Sequence, residues 1–216
     1  MIIAKKDVTE ITRDTYDRVA PAYSACVDTL VDGWIQRYEK ELMDAFIRKL
    51  PNKGNILEIG CGNGRDTEYF LEKDLSVTAT DFSYGMLTEA RERVPAGHFI
   101  QMDMRNLSFR DNSLDGIWAN GCIYHIPKND FKHALNEFSR VLKPNGVISF
   151  NFKIGKGEGL EQTPRSFKSG PRYFAYYSTS GMAKRLLAAN FAVSEIEEYP
   201  EKILEERIAQ IWAKKL

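Results

Sequence analysis

The chain has 216 residues, 43% of them hydrophobic, and its 30 basic side chains are balanced by 30 acidic ones. A chain of this length folds as one domain that buries roughly 70% of its unfolded surface, so it needs no disulfide or metal staple. The charge balance removes any global pull toward nucleic acid or an anionic membrane and leaves only local patches. Cys26, Cys61 and Cys122 lie far apart and in no CxxC spacing, which suits reduced thiols in a cytoplasm. The N-terminal MIIAKKDVTE lacks the apolar stretch of about 7 or more residues that a signal peptide carries. No apolar run approaches the ~20 residues of a membrane span, so the sequence predicts a soluble cytoplasmic protein.

From Val8 to Leu50 the pattern is helical. YDRVAPAYS (Tyr16 to Ser24) predicts a break at Pro21, and Trp34, Ile35, Tyr38, Leu42, Ala45, Phe46 and Leu50 form one apolar face. Ile56 to Ile59 then reads as a buried strand, Arg65 to Lys73 as a helix with Phe70 and Leu71 inward, and LSVTATD as a strand ending at Asp81. Ser83 caps the next helix, whose inward face is Met86, Leu87 and Ala90. His98 to Met102 and Leu114 to Ala119 follow as strands. Phe131, Ala134, Leu135, Phe138, Val141 and Leu142 make an amphipathic helix stopped by Pro144, Asn145 and Gly146, before a strand from Val147 to Phe152. Lys153 to Ser178 has no clear period and reads as a functional loop. A helix over Ser180–Ala189 and a strand over Phe191–Ile196 come next, and Pro200 to Leu216 fits helix and strand about equally.

Strands alternating with helices predict an α/β fold: a Rossmann-like doubly wound, mostly parallel sheet with helices on both faces and N-terminal helices capping the site. The expected layout is one domain over 1–216. It has a helical cap (1–50), a core (55–152), a substrate-side loop (153–178) and a C-terminal part of the sheet (179–216).

The stretch ILEIGCGNGRDT carries the chemistry. Gly60, Gly62 and Gly64 let the chain bend and a ligand approach its backbone. A dinucleotide turn would read GxGxxG, but Arg65 stands where the third glycine belongs, and no Gly-Lys-Ser/Thr follows to make a phosphate loop. Glu58 favours a ligand with positive charge. Asp81, at the end of the next strand, is where this architecture accepts ribose hydroxyls. The ligand implied has a ribose and a cationic part and needs no phosphate.

Five segments in order, EIGCGNG, TATDFS, QMDM, DGIWANGCIYHIP and VLKPNGVISF, resemble the motifs of class I S-adenosylmethionine-dependent methyltransferases, over most of the chain from about Tyr16 onward. The resemblance implies that Gly60, Cys61 and Gly62 lie against the methionine part of S-adenosylmethionine, with Glu58 near its ammonium. It implies that Asp81 holds the ribose, that Phe82 and Met86 pack on the adenine, and that Asp103 bonds the exocyclic amine with Met104 beside it. Asn120 would line the site, and Tyr16 and Tyr23 would belong to an N-terminal lid. His125, at the expected mouth of the site, is the candidate catalytic base, although a structural role fits it equally. His98 and His133 read as ordinary surface or core residues.

The expected activity is in-line methyl transfer to an unidentified acceptor, a small molecule in the first place. The resemblance extends to tRNA wobble-uridine methyltransferases, and Lys153, Lys156, Arg165, Lys168 and Arg172 keep tRNA in view, as an anionic substrate or a merely solvated loop also would. Tyr173, Phe174, Tyr176 and Tyr177 suit an acceptor pocket or plain core packing. A non-catalytic S-adenosylmethionine-binding module is the remaining alternative. The sequence is silent on oligomeric state.

Overall fold

The computed structural model describes residues 7–30, 33–162, 170–199 and 207–216, the side chains of 27–30 and 33–36 excepted. Two helices, α1 (Val8–Leu30) and α2 (Gly33–Ile47), precede the first strand, β1 (Asn55–Ile59). Alternation then follows: α3 (Arg65–Glu72), β2 (Ser76–Asp81), α4 (Tyr84–Arg93), β3 (His98–Gln101), β4 (Leu114–Ala119), α5 (Lys128–Val141) and β5 (Leu142–Ile154). A hairpin of β6 (Glu158–Gln162) and β7 (Pro171–Tyr177), the helix α6 (Thr179–Ala188), and strands β8 (Phe191–Glu198) and β9 (Ile208–Lys215) complete the chain.

The strands run β3-β2-β1-β4-β5, all parallel, and β9 lies antiparallel between β5 and β8. The order reverses between β1 and β4, and a crevice opens beyond the carboxyl ends of the strands at such a reversal. Helices cover both faces, as parallel pairing requires. Phe131, Leu135 and Phe138 of α5 and Met182 and Leu186 of α6 pack on one face against Leu57, Ile117 and Phe150. Leu42 and Phe46 of α2, Phe70 of α3 and Leu87 of α4 pack on the other against Ile56, Trp118 and Trp212. Among the described residues no helix is long and apolar enough to cross a membrane.

Four expectations change. Pro21 does not break the first helix, for α1 runs through it. Proline lacks the N–H that would reach the carbonyl of Asp17, and Gly85 of α4 packs against that stretch of backbone: a Cβ on Gly85 would sit 2.7 Å from the Asp17 carbonyl oxygen. The described residues of Lys153–Ser178 are mostly strand. β7 pairs with β6, and it also takes the edge of β5 at Lys153 and Ile154, beyond where β4 stops. Pro144–Gly146 is a bulge inside β5 rather than a gap before it, since Leu142 already pairs with Leu114. The ambiguous C-terminal stretch resolves as β9, whose Ile208 to Ala213 are all buried. Trp34 and Ile35 of the predicted helical face, Arg165 and Lys168 of the basic stretch, and residues 200–206 of the tail fall outside what is described.

The close approach at Gly85 makes α1 docking testable. Gly85→Ala is expected to destabilise the protein by about 1–3 kcal/mol, the scale of overpacking against backbone. Hydrogen exchange of α1 amides should accelerate more than that of β1 and β4. Unchanged exchange in α1 would refute the contact.

Candidate functional site

The turn after β1 is shaped by two neighbours. Gly60 has φ of 69°, and a Cβ there would fall 2.4 Å from the Cβ of Cys122, so any side chain would collide as well as strain. The N–H groups of Gly60 and Cys61 both donate to the Thr80 carbonyl, at 2.7 and 3.0 Å. The Gly62 N–H donates to Asp81 Oδ2 at 2.9 Å, and the Ser83 N–H donates to Oδ1 at 2.8 Å. Burial nonetheless pushes the Asp81 carboxyl up to about 6, against those backbone donors. With these three amides engaged inside the protein, the turn is a poor cradle for a phosphate.

A cavity of about 140 Å³ opens here. Gly60, Gly62, Asp81, Phe82 and Met86 form its floor on the β1 and β2 side. Met102, Asp103 and Met104 close one flank, and Asn120, Gly121, Cys122 and His125 the other. The Asn120 carbonyl oxygen is held by the Asn151 amide, whose own oxygen accepts from Gly121 N–H at 2.7 Å. Arg105 grips the Asp103 carboxylate, with Nη2 2.7 Å from Oδ2, and also reaches Asp130 at 2.8 Å.

The roof is α1, which presents Thr9, Thr12, Arg13, Tyr16 and Tyr23 to the cavity. Asp17 fastens this helix. Its Oδ1 accepts from Ser83 Oγ at 2.6 Å and from Gly85 N–H at 2.9 Å, in the first turn of α4. On its other side α1 meets β7, where the Tyr173 N–H donates to Thr12 Oγ1 at 2.9 Å and Thr15 Oγ1 donates to the Pro171 carbonyl at 2.8 Å. Arg13 lies over the Phe82 ring, 5.2 Å from its centroid.

His125 ends a single 3₁₀ turn (Ile123–His125) after β4. Its Nδ1 is 2.7 Å from the Tyr173 carbonyl, which can only accept, so Nδ1 carries the proton and Nε2 accepts from the Tyr16 hydroxyl at 3.0 Å. The Tyr16 oxygen in turn accepts from Arg172 Nη1 at 2.9 Å. Burial, with help from the charges of Arg172 and Lys153, pulls His125 down to about 3. A ring this reluctant to protonate, with its lone pair already engaged, is a weak candidate for a general base.

The cavity thus gathers Tyr16, Tyr23, Gly60, Gly62, Asp81, Phe82, Met86, Asp103, Met104, Asn120 and His125, all expected from the sequence. Two expected residues do not line it. Glu58 is 2% exposed and points to the α3 face, where it accepts from Thr67 Oγ1 at 2.5 Å. Burial and the nearby Asp66 hold its carboxyl well above the usual range. Cys61 is buried, with its thiol turned toward the Gly62 carbonyl.

The basic stretch also loses members as a solvent-facing patch. Lys153 is 4% exposed, with Nζ 4.1 Å from the Phe174 ring centroid, and Arg172 lies over Tyr16 and Phe174. The sequence reading missed Thr9, Thr12, Arg13, Asp17 and Cys122. Thr9, Thr12, Arg13, Tyr16 and Tyr23 recur at three-, four- and seven-residue intervals, so a polar helical face aimed inward was the available signal.

Residues 56–146 match the family model described as a methyltransferase domain. Over 133 residues the chain is 35% identical to the demethylmenaquinone methyltransferase of Renibacterium salmoninarum, covering 62% of this chain and 54% of that protein. It is 31% identical over 114 residues to the malonyl-[acyl-carrier protein] O-methyltransferase of Enterobacter lignolyticus, covering 52% of this chain and 45% of that one. The chain spans about half the length of the curated relatives it matches. Its fold is shared with the Burkholderia thailandensis 1,6-didemethyltoxoflavin-N1-methyltransferase, solved with 1,6-didemethyltoxoflavin and S-adenosylhomocysteine bound. The TM-score is 0.73 at 21% identity, over 100% of this chain and 92% of that one.

The state of His125 can be checked directly. Its ring nitrogens are expected to keep the shifts of the neutral, Nδ1-protonated form from about pH 8 to 5, since the folded value lies near 3. The unfolded ring takes a proton near pH 6.5, so below that pH the unfolded state binds more protons. Stability contributed by the neutral ring then falls by up to about 1.4 kcal/mol per pH unit. A titration of this ring centred near 6.5 would contradict the hydrogen-bonded chain described here.

Proposed function

We propose that the chain is a class I S-adenosylmethionine-dependent methyltransferase, that its cavity binds S-adenosylmethionine and that the protein transfers the methyl group to a small-molecule acceptor. The observation that carries this reading is Asp81. Its carboxylate stands at the end of β2 on the cavity floor, fixed by the Gly62 and Ser83 amides, and each oxygen keeps a lone pair for a ribose hydroxyl.

The rest of the lining fits the same ligand. Phe82 and Met86 offer apolar surface for the adenine, Asp103 offers an acceptor for the exocyclic amine, and Asn120 stands where the reacting end would lie. The turn's amides are engaged internally, which suits an ammonium better than a phosphate. Glu58 and Cys61 have no part in this arrangement. Tyr16 and Tyr23 close over the site from α1.

The bound sulfonium supplies an activated methyl group, so the protein's task is to orient the acceptor and exclude water, effects that can supply about 7–11 kcal/mol. A roof fastened at Asp17 on one side and at Thr12 and Thr15 on the other serves both ends. His125 acts as a positioning residue that holds the Tyr16 hydroxyl. A small acceptor is favoured because α1 roofs the cavity, and because Lys153 and Arg172 pack on aromatic rings instead of forming an exposed phosphate-binding stripe.

Calorimetry with S-adenosylhomocysteine tests the donor site. Asp81→Ala should weaken binding by roughly 1.5–3 kcal/mol, the scale of hydrogen bonds to a charged group, and an unchanged affinity would remove Asp81 from the site. A screen with radiolabelled methyl donor against metabolite, protein and tRNA fractions then assigns the acceptor class. Label entering tRNA alone would overturn the small-molecule reading. Donor binding with no transfer to any fraction would mark a binding module.

The pH dependence is a separate check. Ribose hydroxyls donate more strongly to the ionised Asp81 carboxylate than to its protonated form, so binding lowers a value that lies near 6 in the free protein. Affinity is therefore expected to be flat above about pH 7 and to fall by up to about tenfold per unit as pH drops below 6. Asp81→Ala should abolish that slope.

A further inference from the structure

The two ends of the cavity differ in charge. Asp81 and Asp103 lie on the donor side. On the opposite side the lining residues Tyr16 and His125 are backed by two cations. Arg172 donates to the Tyr16 hydroxyl at 2.9 Å, its guanidinium 5.3 Å from the Tyr16 ring, and Lys153 sits over Phe174, whose ring centroid is 4.9 Å from that of His125. Burial is the main cause that pulls His125 down, and the charges of both cations add to it. The same end has no good proton acceptor: Nδ1 of His125 is a donor, and Nε2 is engaged and weakly basic.

Building on the methyl-donor reading, we propose that the acceptor is an organic anion, a carboxylate or a hydroxyl already ionised in solution, held at the Tyr16 hydroxyl with Arg172 directly behind it. At rest that hydroxyl is poised between a donor, Arg172, and an acceptor, His125 Nε2. A phenolic proton rotates to suit its partner, so it can turn from Nε2 to the anion while the guanidinium keeps polarising the oxygen.

The chemistry then closes without a base. A lone pair on the acceptor oxygen forms the new bond to the methyl carbon, the carbon–sulfur bond breaks, and its electron pair stays on sulfur. One negative and one positive charge cancel, and no proton moves. A neutral hydroxyl acceptor would instead release a proton beside two cations and a ring that resists protonation. Arg172 is a positioning residue in this scheme, acting through Tyr16.

The test uses benzoate and benzamide, matched in shape and different in charge, titrated calorimetrically into protein saturated with S-adenosylhomocysteine. Benzoate is expected to bind at least about tenfold more tightly, the scale of one charge-assisted hydrogen bond. Arg172→Met should bring the ratio to within about twofold while S-adenosylhomocysteine affinity is kept, and Arg172→Lys should restore part of the preference. Equal binding of the pair, or no benzoate binding, with S-adenosylhomocysteine still bound would overturn the anionic acceptor and leave the donor site standing. Loss of S-adenosylhomocysteine binding by the wild type would strike the donor reading itself. The wild-type ratio decides the proposal even if Arg172→Met does not fold.

Discussion

The bond from the Gly62 amide to the Asp81 carboxylate joins the parts of this protein that must agree. The turn after β1 needs a partner for an amide exposed by a left-handed glycine, and the acid at the end of β2 needs donors to remain a carboxylate in a buried place. Each meets the other's need. The second carboxylate oxygen accepts from Ser83, whose side chain caps α4 and reaches Asp17 on α1. Floor, flanking helix and roof are thereby linked through the half-buried Asp81 carboxylate, the Ser83 hydroxyl and the Asp17 carboxylate.

That linkage explains why α1 tolerates a proline. Pro21 leaves the Asp17 carbonyl without its helical donor, and Gly85 lets the first turn of α4 pack where a side chain would collide. The Asp17 carboxylate then bonds to that same turn. A local weakness in one helix coincides with the place where another helix needs close approach, and the two are matched by a single glycine.

Much of this was legible in sequence because the core strands and helices carry their own punctuation. β4 runs from Leu114 to Ala119 as its apolar pattern implied, and Ser83 caps α4 as its position before Met86 implied. Period alone failed where both faces are buried. Ile208 to Ala213 in β9 are apolar except for Gln210 and are all buried, so they show no alternation, and a helix fits them as well. The hairpin of β6 and β7 was hidden because β6 is a largely exposed strand, with glycine and charge where a core strand would have valine. Glu58 was misplaced for a simpler reason. Its position in the motif was right, but the two-residue period of β1 turns it to the α3 face, opposite to Leu57 and Ile59.

The position of Glu58 changes where the site's selectivity resides. With that carboxyl on the far face and bonded to Thr67, the negative charge available to a ligand on the cavity floor comes from Asp81, and on the flank from an Asp103 already paired with Arg105. A single backbone-anchored carboxylate suits ribose hydroxyls better than it suits a free cation, whose charge would have to be met by dipoles. With the Gly60, Cys61 and Gly62 amides directed back at Thr80 and Asp81, the turn is a poor cradle for an anion, and the glycines matter because they allow that orientation.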